Sequence, residues 1–497
     1  MTLKSIPEIF LFFNKYSRII VQIELPSCSI LKNQITAIMT LIKSISGIRG
    51  TIGKYPGEGL TPLDIVKFTS AYAMWLKKQE QKEKYQVMVG RDARISGEMV
   101  NHIVCGTLMG MGVDVVDLGP ATTPTVEMAV KFANGDGGII LTASHNPAEW
   151  NALKLLNNKG EFLSAADGED LLQIADHEKF DYTEVGKLGK YTSDKGYAIK
   201  HIEATIALPA VDTDAIKSRG FTVAIDCVNS VGGLVLPQLL KMLGVKEVIE
   251  VFCESNGNFP HNPEPLPENL QVLSQAVVSG KADLGFAVDP DVDRLAIVNE
   301  DGTMFGEEYT LVAVADYILD GMPGNTVSNL SSTRALKEIT ESYGGRHHAS
   351  AVGEVNVTAE MKRTGAVIGG EGNGGVIYPK LHYGRDALVG IALFLSYLAK
   401  QGIKCSELRN KYPDYHLSKN KVELSPGINI DKLLGKIKKH YSDYSVNDTD
   451  GIRIDMPEGW VHLRKSNTEP IIRIYSEGED RENAEKLAGD VINLIKE

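Results

Sequence analysis

From about residue 40 onward, short apolar runs alternate with segments of helical period, and this alternation limits the possible folds more than any other feature of the sequence. The runs QVMVG (86–90) and VDVVDLG (113–119) have the length and the β-branched content of buried strands. Strands that alternate with helices predict βαβ units around a mostly parallel sheet. One helix start is clear, since Thr61, Pro62 and Asp64 form an N-cap, an N1 proline and a first-turn acid.

The same rhythm restarts at FTVAID (221–226) and again near NTVSNL (325–330), although no repeat is visible in the sequence itself. The last part of the chain differs, because apolar runs such as GIRIDM and PIIRIYSE follow one another with fewer helices between them. That pattern is typical of an antiparallel α+β domain. We therefore predict an α/β protein with three mixed α/β domains and a smaller C-terminal α+β domain.

The length of 497 residues suits this division, since single domains usually hold about 100–150 residues. The expected domains are residues 39–195, 196–299, 300–414 and 415–497. Residues 1–38 are expected to be an N-terminal extension, because the segment MTLIKSISGIRG from Met39 looks like a second start.

Composition and charge argue against several classes of protein. The formal net charge of −12 disfavours general binding to nucleic-acid phosphates, although a local basic pocket stays open. No apolar run approaches the roughly 20 residues needed to cross a membrane, and charged residues interrupt the apolar start, which disfavours a signal peptide. Five cysteines without CxxC spacing fit a reducing compartment. We expect a cytoplasmic protein without nucleic-acid or membrane partners.

The sharpest local signal is the acidic loop DPDVDR. Asp289, Asp291 and Asp293 follow an apolar run at spacing i, i+2, i+4. Carboxylates so close repel one another by about 4 kcal/mol per contact-range pair at an effective dielectric near 20, unless a cation neutralises them. Oxygen ligands without thiolate or imidazole suit Mg²⁺. A metal site is favoured over a solvated acidic turn, and an EF-hand is excluded because Arg294 stands where that motif needs glycine.

A second signal lies near the C-terminus, where RKSNTEPIIR combines two arginines with several short hydroxyl or amide donors between strands. Such a loop makes a good socket for a phosphate dianion. A capped turn with surface charges is the alternative, and spacing alone does not separate the two. The residues proposed for the socket are Arg464, Ser466, Asn467, Thr468 and Arg473.

The segment GGEGNGGV (369–376) bends between predicted strands and contains five glycines. It lacks both the strand-to-helix position of a dinucleotide-binding loop and the lysine of a Walker loop. Glu371 and Asn373 are its only side chains able to hydrogen-bond a ligand, and recognition of a polyhydroxyl sugar would suit them. A tight turn without a ligand is the alternative.

In TASHNP an apolar run ends at a serine beside a histidine, and a helix-like segment follows. Ser144 lacks the flanking glycines of a nucleophile elbow. Along an extended backbone the side chains of Ser144 and His145 point to opposite sides. His145 would then be a poor general base, which weakens the interpretation as a hydrolase. The alternative is a serine that caps the following helix.

Together these four loops resemble those of the α-D-phosphohexomutase family, which includes phosphoglucomutases, phosphomannomutases and phosphoglucosamine mutases. The loops TASHNP, DPDVDR, GEGNGG and RKSNTEP occur in the family order, one per predicted domain. The segments SGIRG (46–50), GRDARISG (90–97) and NALK (151–154) extend the likeness from about Ser44 to the end of the chain. The resemblance implies the four-domain family fold.

The resemblance implies that Ser144 carries a phosphoryl group, donates it to a sugar monophosphate and recovers the other phosphate of a bisphosphorylated intermediate. It also implies that Mg²⁺ is held by the aspartate trio and a phosphate oxygen on Ser144. Arg49 and Lys154 match positions beside the phosphoserine, where they would assist proton transfer or stabilise charge, and Arg294 should lie near the transferring phosphate. His145 is expected to shape the loop or contact its phosphate. The C-terminal socket would bind the phosphate that does not react.

The glycine loop departs from the family pattern. Many members carry a GEMSGH-type loop, whereas here Asn373 replaces the serine and the histidine is missing. GEGNGG and the following LHYGRD (381–386) resemble the archaeal branch of the family. His382 and Arg385 are expected to join Glu371 and Asn373 in binding the sugar, or else simply to order a loop. The departure leaves the preferred hexose open.

We therefore predict a phosphohexomutase that interconverts the 6-phosphate and the 1-phosphate of a hexose, with a hexose bisphosphate as activator. Glucosamine phosphate is the first choice of substrate, and glucose or mannose phosphate follow closely. A metal-dependent serine phosphatase and a non-catalytic phosphosugar-binding protein are the alternatives. The separate C-terminal socket disfavours a phosphatase, because only a mutase must retain a second phosphate.

Overall fold

The computed structural model describes residues 39–44, 47–423, 430–465 and 471–496. The predicted extension 1–38 lies outside these residues, as do Ser466, Asn467 and Thr468 of the predicted phosphate socket. Within the described part of the chain there are four sheets, of seven, four, four and five strands. Among these residues, no helix has both the length and the apolar character needed to cross a membrane.

The first region is an α/β unit built around the seven-stranded sheet. Its elements are β1 (Ile42–Ser44), β2 (Gly47–Thr51), α1 (Pro62–Gln79), β3 (Gln86–Arg91), α2 (Gly97–Gly110), β4 (Asp114–Pro120), α3 (Thr123–Ala133), β5 (Gly137–Leu141), β6 (Trp150–Leu156), α4 (Ala165–His177) and β7 (Tyr191–Ser193). The strand order is β1-β2-β6-β5-β3-β4-β7. Strands β3, β4, β5 and β7 are parallel, whereas β6 runs antiparallel to both β5 and β2.

Local sequence explains how this unit forms. The Thr61 side chain accepts from the backbone N–H of Asp64, and the Asp64 carboxylate accepts from that of Thr61, so the predicted helix start is a complete capping box. Alternate residues of β3 point to opposite faces of the sheet: Val89 packs among residues of α1 and α2, and Met88 among residues of α3. Burial on both faces is why residues 87–90 of this strand are all apolar.

The second and third regions each contain a four-stranded sheet. The second contains α5 (Tyr197–Ile206), α6 (Thr213–Arg219), β8 (Thr222–Asp226), α7 (Gly232–Leu243), β9 (Glu247–Val251), α8 (Gln271–Gly280), β10 (Leu284–Val288) and β11 (Leu295–Asn299). The third contains α9 (Glu307–Gly321), β12 (Thr326–Asn329), α10 (Ala335–Ser342), β13 (His347–Ser350), α11 (Glu354–Thr364), β14 (Ile368–Glu371), β15 (Gly375–Ile377), α12 (Ala387–Gln401) and α13 (Cys405–Arg409). Their strand orders are β11-β10-β8-β9 and β13-β12-β14-β15.

These orders reveal a structural repeat that the sequence does not show. In each of the first three regions four consecutive strands (β3–β6, β8–β11 and β12–β15) lie in the spatial order second, first, third, fourth. The first three strands of each set are parallel and the fourth is antiparallel to the third. The loop between the third and fourth strands contains Ser144 in the first repeat, the aspartate trio in the second and Asn373 in the third. Three of the four predicted site loops therefore occupy equivalent positions.

The fourth region is smaller and differs in kind. Its elements are β16 (His416–Glu423), α14 (Ile430–His440), β17 (Ser445–Asn447), β18 (Ile452–Met456), β19 (Gly459–Lys465), β20 (Ile471–Gly478) and α15 (Arg481–Lys496). The sheet, in the order β16-β20-β19-β18-β17, is antiparallel throughout. The predicted fold class, three mixed α/β domains and a smaller α+β domain, is confirmed, and the exact domain boundaries stay a prediction.

One local expectation was wrong. The segment after TASHNP is the strand β6 rather than a helix, so Ser144 does not cap a helix that follows it. Strand β6 pairs with β5 on one side and β2 on the other, and nearly all of its residues are buried. A strand buried on both faces has no alternating pattern, and its sequence therefore resembles that of a buried helix.

Candidate active site

The predicted site loops meet in one cleft of about 710 Å³. Residues from all four regions line it. Its basic lining residues are Lys43, Arg49, Lys154, Arg294, Arg385, Lys419, Arg464 and Arg473. Acidic residues line the cleft too, among them Glu308, Glu354 and Glu371. The arginines and lysines still offer an anionic ligand several partners, in a chain whose formal net charge is −12.

A buried arginine holds the Ser144 loop in shape. The guanidinium of Arg94 is 1% exposed, forms an ion pair with Asp92 at 2.9 Å and donates to four carbonyls of the loop. These carbonyls belong to Ser144, Asn146, Pro147 and Trp150. The Thr142 hydroxyl donates to Asp92 and accepts from the backbone N–H of Ser144. The network supports a left-handed conformation at Ser144, with φ of 50°, that a serine adopts only at a cost.

This conformation corrects one premise drawn from the sequence. The backbone at Ser144 is not extended, and the Nδ1 atom of His145 lies 3.4 Å from the Ser144 hydroxyl. Arg294, burial and Arg49 together lower the pKa of His145 well below its ordinary value. The hydroxyl itself donates to the Oδ2 atom of Asp289 at 2.7 Å. The Ser144 side chain therefore contacts the acidic loop, which belongs to the second repeat.

The aspartate trio is completely buried and only partly paired. Lys154 Nζ lies 2.6 Å from Oδ2 of Asp291, and Arg385 Nη2 lies 2.6 Å from Oδ2 of Asp293. In the described part of the chain, the Oδ1 atoms of Asp291 and Asp293 are buried without a hydrogen-bond partner, although Arg294 Nε lies 3.9 Å from that of Asp293. A buried carboxylate oxygen without a donor is costly. The pair of bare oxygens beside Ser144 is the arrangement that a hard divalent cation would satisfy, so these residues fit a metal site.

The ionisation of the trio follows from its neighbours. Burial and the adjacent charges of Asp293 and Asp291 raise the pKa of Asp289 well above its ordinary value. Burial also opposes ionisation of Asp291, but Lys154 outweighs it and lowers the pKa of Asp291. The same pairing, against the desolvation cost of burial, raises the pKa of Lys154. In this structure Lys154 is therefore held as a cation beside Asp291.

Arg385 joins the acidic loop DPDVDR, here also called the metal loop, to the glycine loop GGEGNGGV (369–376). Besides Asp293, it contacts Oε2 of Glu371 through Nη1 at 2.8 Å and Oε2 of Glu354 through Nε at 3.0 Å. The other oxygen of Glu371 accepts from the side-chain amide of Asn329 and from the backbone N–H of Gly353. Burial raises the pKa of Glu371, but the charge of Arg385 and the hydrogen bonds from Asn329 and Gly353 outweigh it, so the pKa is lowered. Glu371 enters the cleft as a carboxylate of fixed orientation.

His382 lies elsewhere. Asn373 and Arg385 line the cleft, but His382 is 3% exposed and packs between Glu127 and Asp386. Its ring does not reach the cleft, so this arrangement does not support the expected sugar contact by His382. Its buried partners, Glu127 and Asp386, explain the position of His382 instead.

The C-terminal socket is represented by its two arginines. Arg464 and Arg473 are direct partners across β19 and β20, and both line the cleft. Among the described residues, the Nε atom of Arg464 is buried without a hydrogen-bond partner. An anion beside this guanidinium group would satisfy the buried donor. Ser466, Asn467 and Thr468 lie outside the described residues.

Sequence reasoning missed several residues that hold the site together. Thr123 donates from Oγ1 to Asp291 Oδ2 at 2.5 Å, and its backbone N–H donates to the Asp291 carbonyl. Arg94 and Glu354 were also missed. The GRDAR segment gave a signal for Arg94, but nothing local indicates that α3 and α11 pack against loops of other repeats.

A serine held against buried carboxylates in a cation-lined cleft suits the transfer of a phosphoryl group, and comparison with known proteins leads to the same class. Four family models, described as phosphoglucomutase/phosphomannomutase α/β/α domains I, II and III and C-terminal domain, match residues 41–182, 199–302, 306–415 and 421–494. The chain therefore belongs to the phosphoglucomutase/phosphomannomutase family. Its members are mutases, that is, intramolecular phosphotransferases, so the predicted enzyme class is confirmed over a phosphatase or a binding protein.

Individual relatives agree. A phosphoglucomutase/phosphomannomutase of Thermococcus kodakarensis is 37% identical over 91% of this chain and 97% of that protein. A phosphoglucosamine/phosphogalactosamine mutase of Sulfurisphaera tokodaii is 32% identical over 90% and 97%. Among solved structures, a phosphoglucomutase/phosphomannomutase family protein from Burkholderia thailandensis superposes with a TM-score of 0.79 at 27% identity, over 93% of this chain and 97% of that chain. The family is in general metal-dependent, in keeping with the Asp289–Asp291–Asp293 group.

Proposed function

We propose that this phosphohexomutase interconverts a hexose 6-phosphate and a hexose 1-phosphate by way of a phosphoserine at Ser144. The observation that carries the proposal is the contact of the Ser144 hydroxyl with Asp289, at 2.7 Å, in a cleft that Arg464 and Arg473, the arginines of the second anion site, also line. One site would transfer a phosphoryl group while the other grips the phosphate that does not react.

Asp289, Asp291 and Asp293, with an oxygen on Ser144, would hold Mg²⁺. When bound, the ion would neutralise charge on the transferring phosphoryl group. The bare Oδ1 atoms of Asp291 and Asp293 support this assignment. An all-oxygen donor set without sulfur or imidazole suits Mg²⁺ better than softer metals.

In the first half-reaction the bond between phosphorus and the Ser144 oxygen breaks as a bond from phosphorus to a sugar hydroxyl forms. The hydroxyl proton ends on Ser144, so this step returns a free serine and a hexose bisphosphate. In the second, the bond from the other phosphorus to its sugar oxygen breaks as the Ser144 oxygen attacks, and the serine proton passes to that sugar oxygen. Lys154 and Arg49 lie on the cleft wall near Ser144, and as cations they would offset charge on the phosphoryl oxygens. Reversal with the other phosphate of the intermediate completes the isomerisation. A hexose bisphosphate would therefore activate the unphosphorylated enzyme.

The sugar would lie between the two phosphate sites, against the glycine loop. Glu371 is oriented by Arg385 and Asn329, and its neighbour Asn373 lines the same wall. A fixed carboxylate that accepts from hydroxyl groups discriminates well between sugar orientations. Glucosamine phosphate is the proposed substrate, because several relatives over 90% or more of the chain are named phosphoglucosamine mutases. Glucose and mannose phosphates are the next choices.

The test combines turnover with intact mass. With Mg²⁺ and a trace of hexose 1,6-bisphosphate present, phosphorus NMR should show conversion of glucosamine 6-phosphate to the 1-phosphate. This conversion should be faster than that of the glucose, mannose and N-acetylglucosamine phosphates. Incubation with the bisphosphate should add one phosphoryl group to the chain. Both signals should vanish in Ser144→Ala and persist in Ser342→Ala, which alters an exposed serine of α10. Stoichiometric release of inorganic phosphate, or a mass gain that survives in Ser144→Ala, would refute the proposal.

A further inference from the structure

Behind the cleft lies a buried group of ionisable residues that the proposed reaction does not use. Glu127, His201, His382 and Asp386 are exposed by 3% or less, and they come from α3, α5 and the segment that leads into α12. We call this group the junction cluster, because it joins helices of the first two regions to a loop of the third.

Hydrogen bonds account for most of the junction cluster. Oδ2 of Asp386 accepts from Nε2 of His201 at 2.9 Å and from Nε2 of His382 at 3.1 Å. Its Oδ1 atom caps α12 by accepting from the backbone N–H of Leu388. The other ring nitrogen of His201 lies 3.0 Å from the Thr125 hydroxyl. Asp386 and His201 are therefore fully satisfied, as buried polar groups normally are.

The remaining contact crosses from the first region to the third. Nδ1 of His382 lies 3.2 Å from Oε2 of Glu127, and among the described residues neither atom forms a hydrogen bond, with the other or elsewhere. Burial raises the pKa of Glu127 well above its ordinary value, so a protonated Glu127 can supply the hydrogen that Nδ1 lacks. A Cβ atom at Gly384 would overlap the Glu127 carboxyl. The loop is thus shaped to let this carboxyl approach.

The loop held in this way carries Arg385. Its guanidinium contacts Asp293 of the metal loop, Glu371 of the glycine loop and Glu354 of α11. Three carboxylates surround one arginine, so a small displacement of the loop would change the orientation of all three at once. The contact between His382 and Glu127 lies three residues before Arg385, on the side away from the cleft.

We propose that Glu127 and His382 form a latch that positions Arg385, and that the latch thereby sets both the affinity for the divalent cation and the affinity for the sugar phosphate. The assignment makes His382 a positioning residue rather than a sugar ligand. It rests on the proposed function of the cleft, both for the Mg²⁺ site and for the sugar phosphate. Partners behind metal ligands commonly change metal affinity or activity by 10- to 100-fold when they are removed.

The metal arm of the test measures Mg²⁺ binding and does not require catalytic turnover. Mg²⁺ is titrated into the wild-type chain, Glu127→Leu, His382→Gln and Glu127→Gln by calorimetry. The first two variants should weaken Mg²⁺ binding by about 10-fold. Glu127→Gln should bind nearly as the wild type does, because an amide N–H can replace the carboxyl hydrogen toward Nδ1. His201→Leu is the matched control: it breaks the same cluster on α5, lowers Tm and should leave Mg²⁺ affinity unchanged.

A double-mutant cycle separates a latch from a general loss of stability. If the latch acts through Arg385, then Glu127→Leu adds little to the Mg²⁺ affinity loss or the KM increase caused by Arg385→Lys. Additive losses would overturn the proposal, as would a His201→Leu variant that weakens Mg²⁺ as much as Glu127→Leu. Should the wild type bind Mg²⁺ but fail to isomerise any hexose phosphate, the proposed function falls while the metal arm still decides the latch.

Discussion

Two buried clusters of this protein look alike as sets of metal-ligating atoms and differ in what surrounds them. In Asp289–Asp291–Asp293 and in His201–His382–Asp386, the ligand atoms lie within 4.8 Å of one another and all side chains are buried. The first cluster opens toward the cleft beside Ser144, and the second lies behind it. Residue type and proximity do not distinguish a metal site from a structural joint.

The distinction comes from the hydrogen-bond donors. In the second cluster both oxygens of Asp386 accept N–H groups. In the first, one oxygen of Asp291 and one of Asp293 have no donor among the described residues, although both residues also pair with a cation. Asp386 has both oxygens filled by donors and stabilises the fold, whereas Asp291 and Asp293 each keep a buried oxygen that a cation would fill. The comparison predicts opposite responses to similar substitutions.

The largest effect is expected from Asp291→Asn. Removing one charge and one ligand from the trio should lower turnover by about three orders of magnitude, since metal stabilisation of transferring charge is worth several kcal/mol. Circular dichroism should show an intact fold. Unchanged turnover of this variant at limiting Mg²⁺ would remove the distinction between the clusters.

Asp386→Asn should act on stability instead. An asparagine cannot accept from both imidazoles and the helix terminus as a carboxylate does, and breaking a buried ionic network typically costs about 3–5 kcal/mol. Thermal unfolding should therefore begin well below the wild-type temperature. Stoichiometry supplies the control: the variant should still bind one Mg²⁺ per chain. A wild-type Tm would show that the junction cluster contributes nothing to stability.

Glu308 should give the smallest effect. It is a buried carboxyl of the cleft wall that accepts from the backbone N–H of Thr333, and burial raises its pKa to about 8. The pKa of Glu308 in the folded state exceeds the unfolded value of about 4.3. Its contribution to the free energy of unfolding is therefore complete below about pH 4.3 and is lost as pH rises through about 8. Glutamine does not titrate, so the Tm of Glu308→Gln should gain on that of the wild type as pH rises from about 4.3 to about 8. Parallel Tm profiles would contradict this.

Much of the fold could be predicted from the sequence, because its signals are local. The capping box at Thr61 and Asp64 involves residues three apart, and the β3 run is apolar because both faces of its strand are buried. The trio also needs only local spacing. The strand β6 was missed for the same reason that β3 was found: a short apolar run has one pattern for two structures, and only pairing with β2 and β5 decides between them.

The sequence by itself determined the α/β class, the four site loops and the chemistry of their side chains, since residue type and short spacing set charge, donors and turns. Tertiary structure alone decided the shared strand order of the three repeats, the left-handed conformation of Ser144 and the burial of His382 behind the cleft. These features depend on contacts between residues far apart in the chain. Arg94 needs the carbonyls of the Ser144 loop, and His382 needs Glu127 from another repeat. The first contact forms when the first repeat folds, and the second only when the first and third regions pack together.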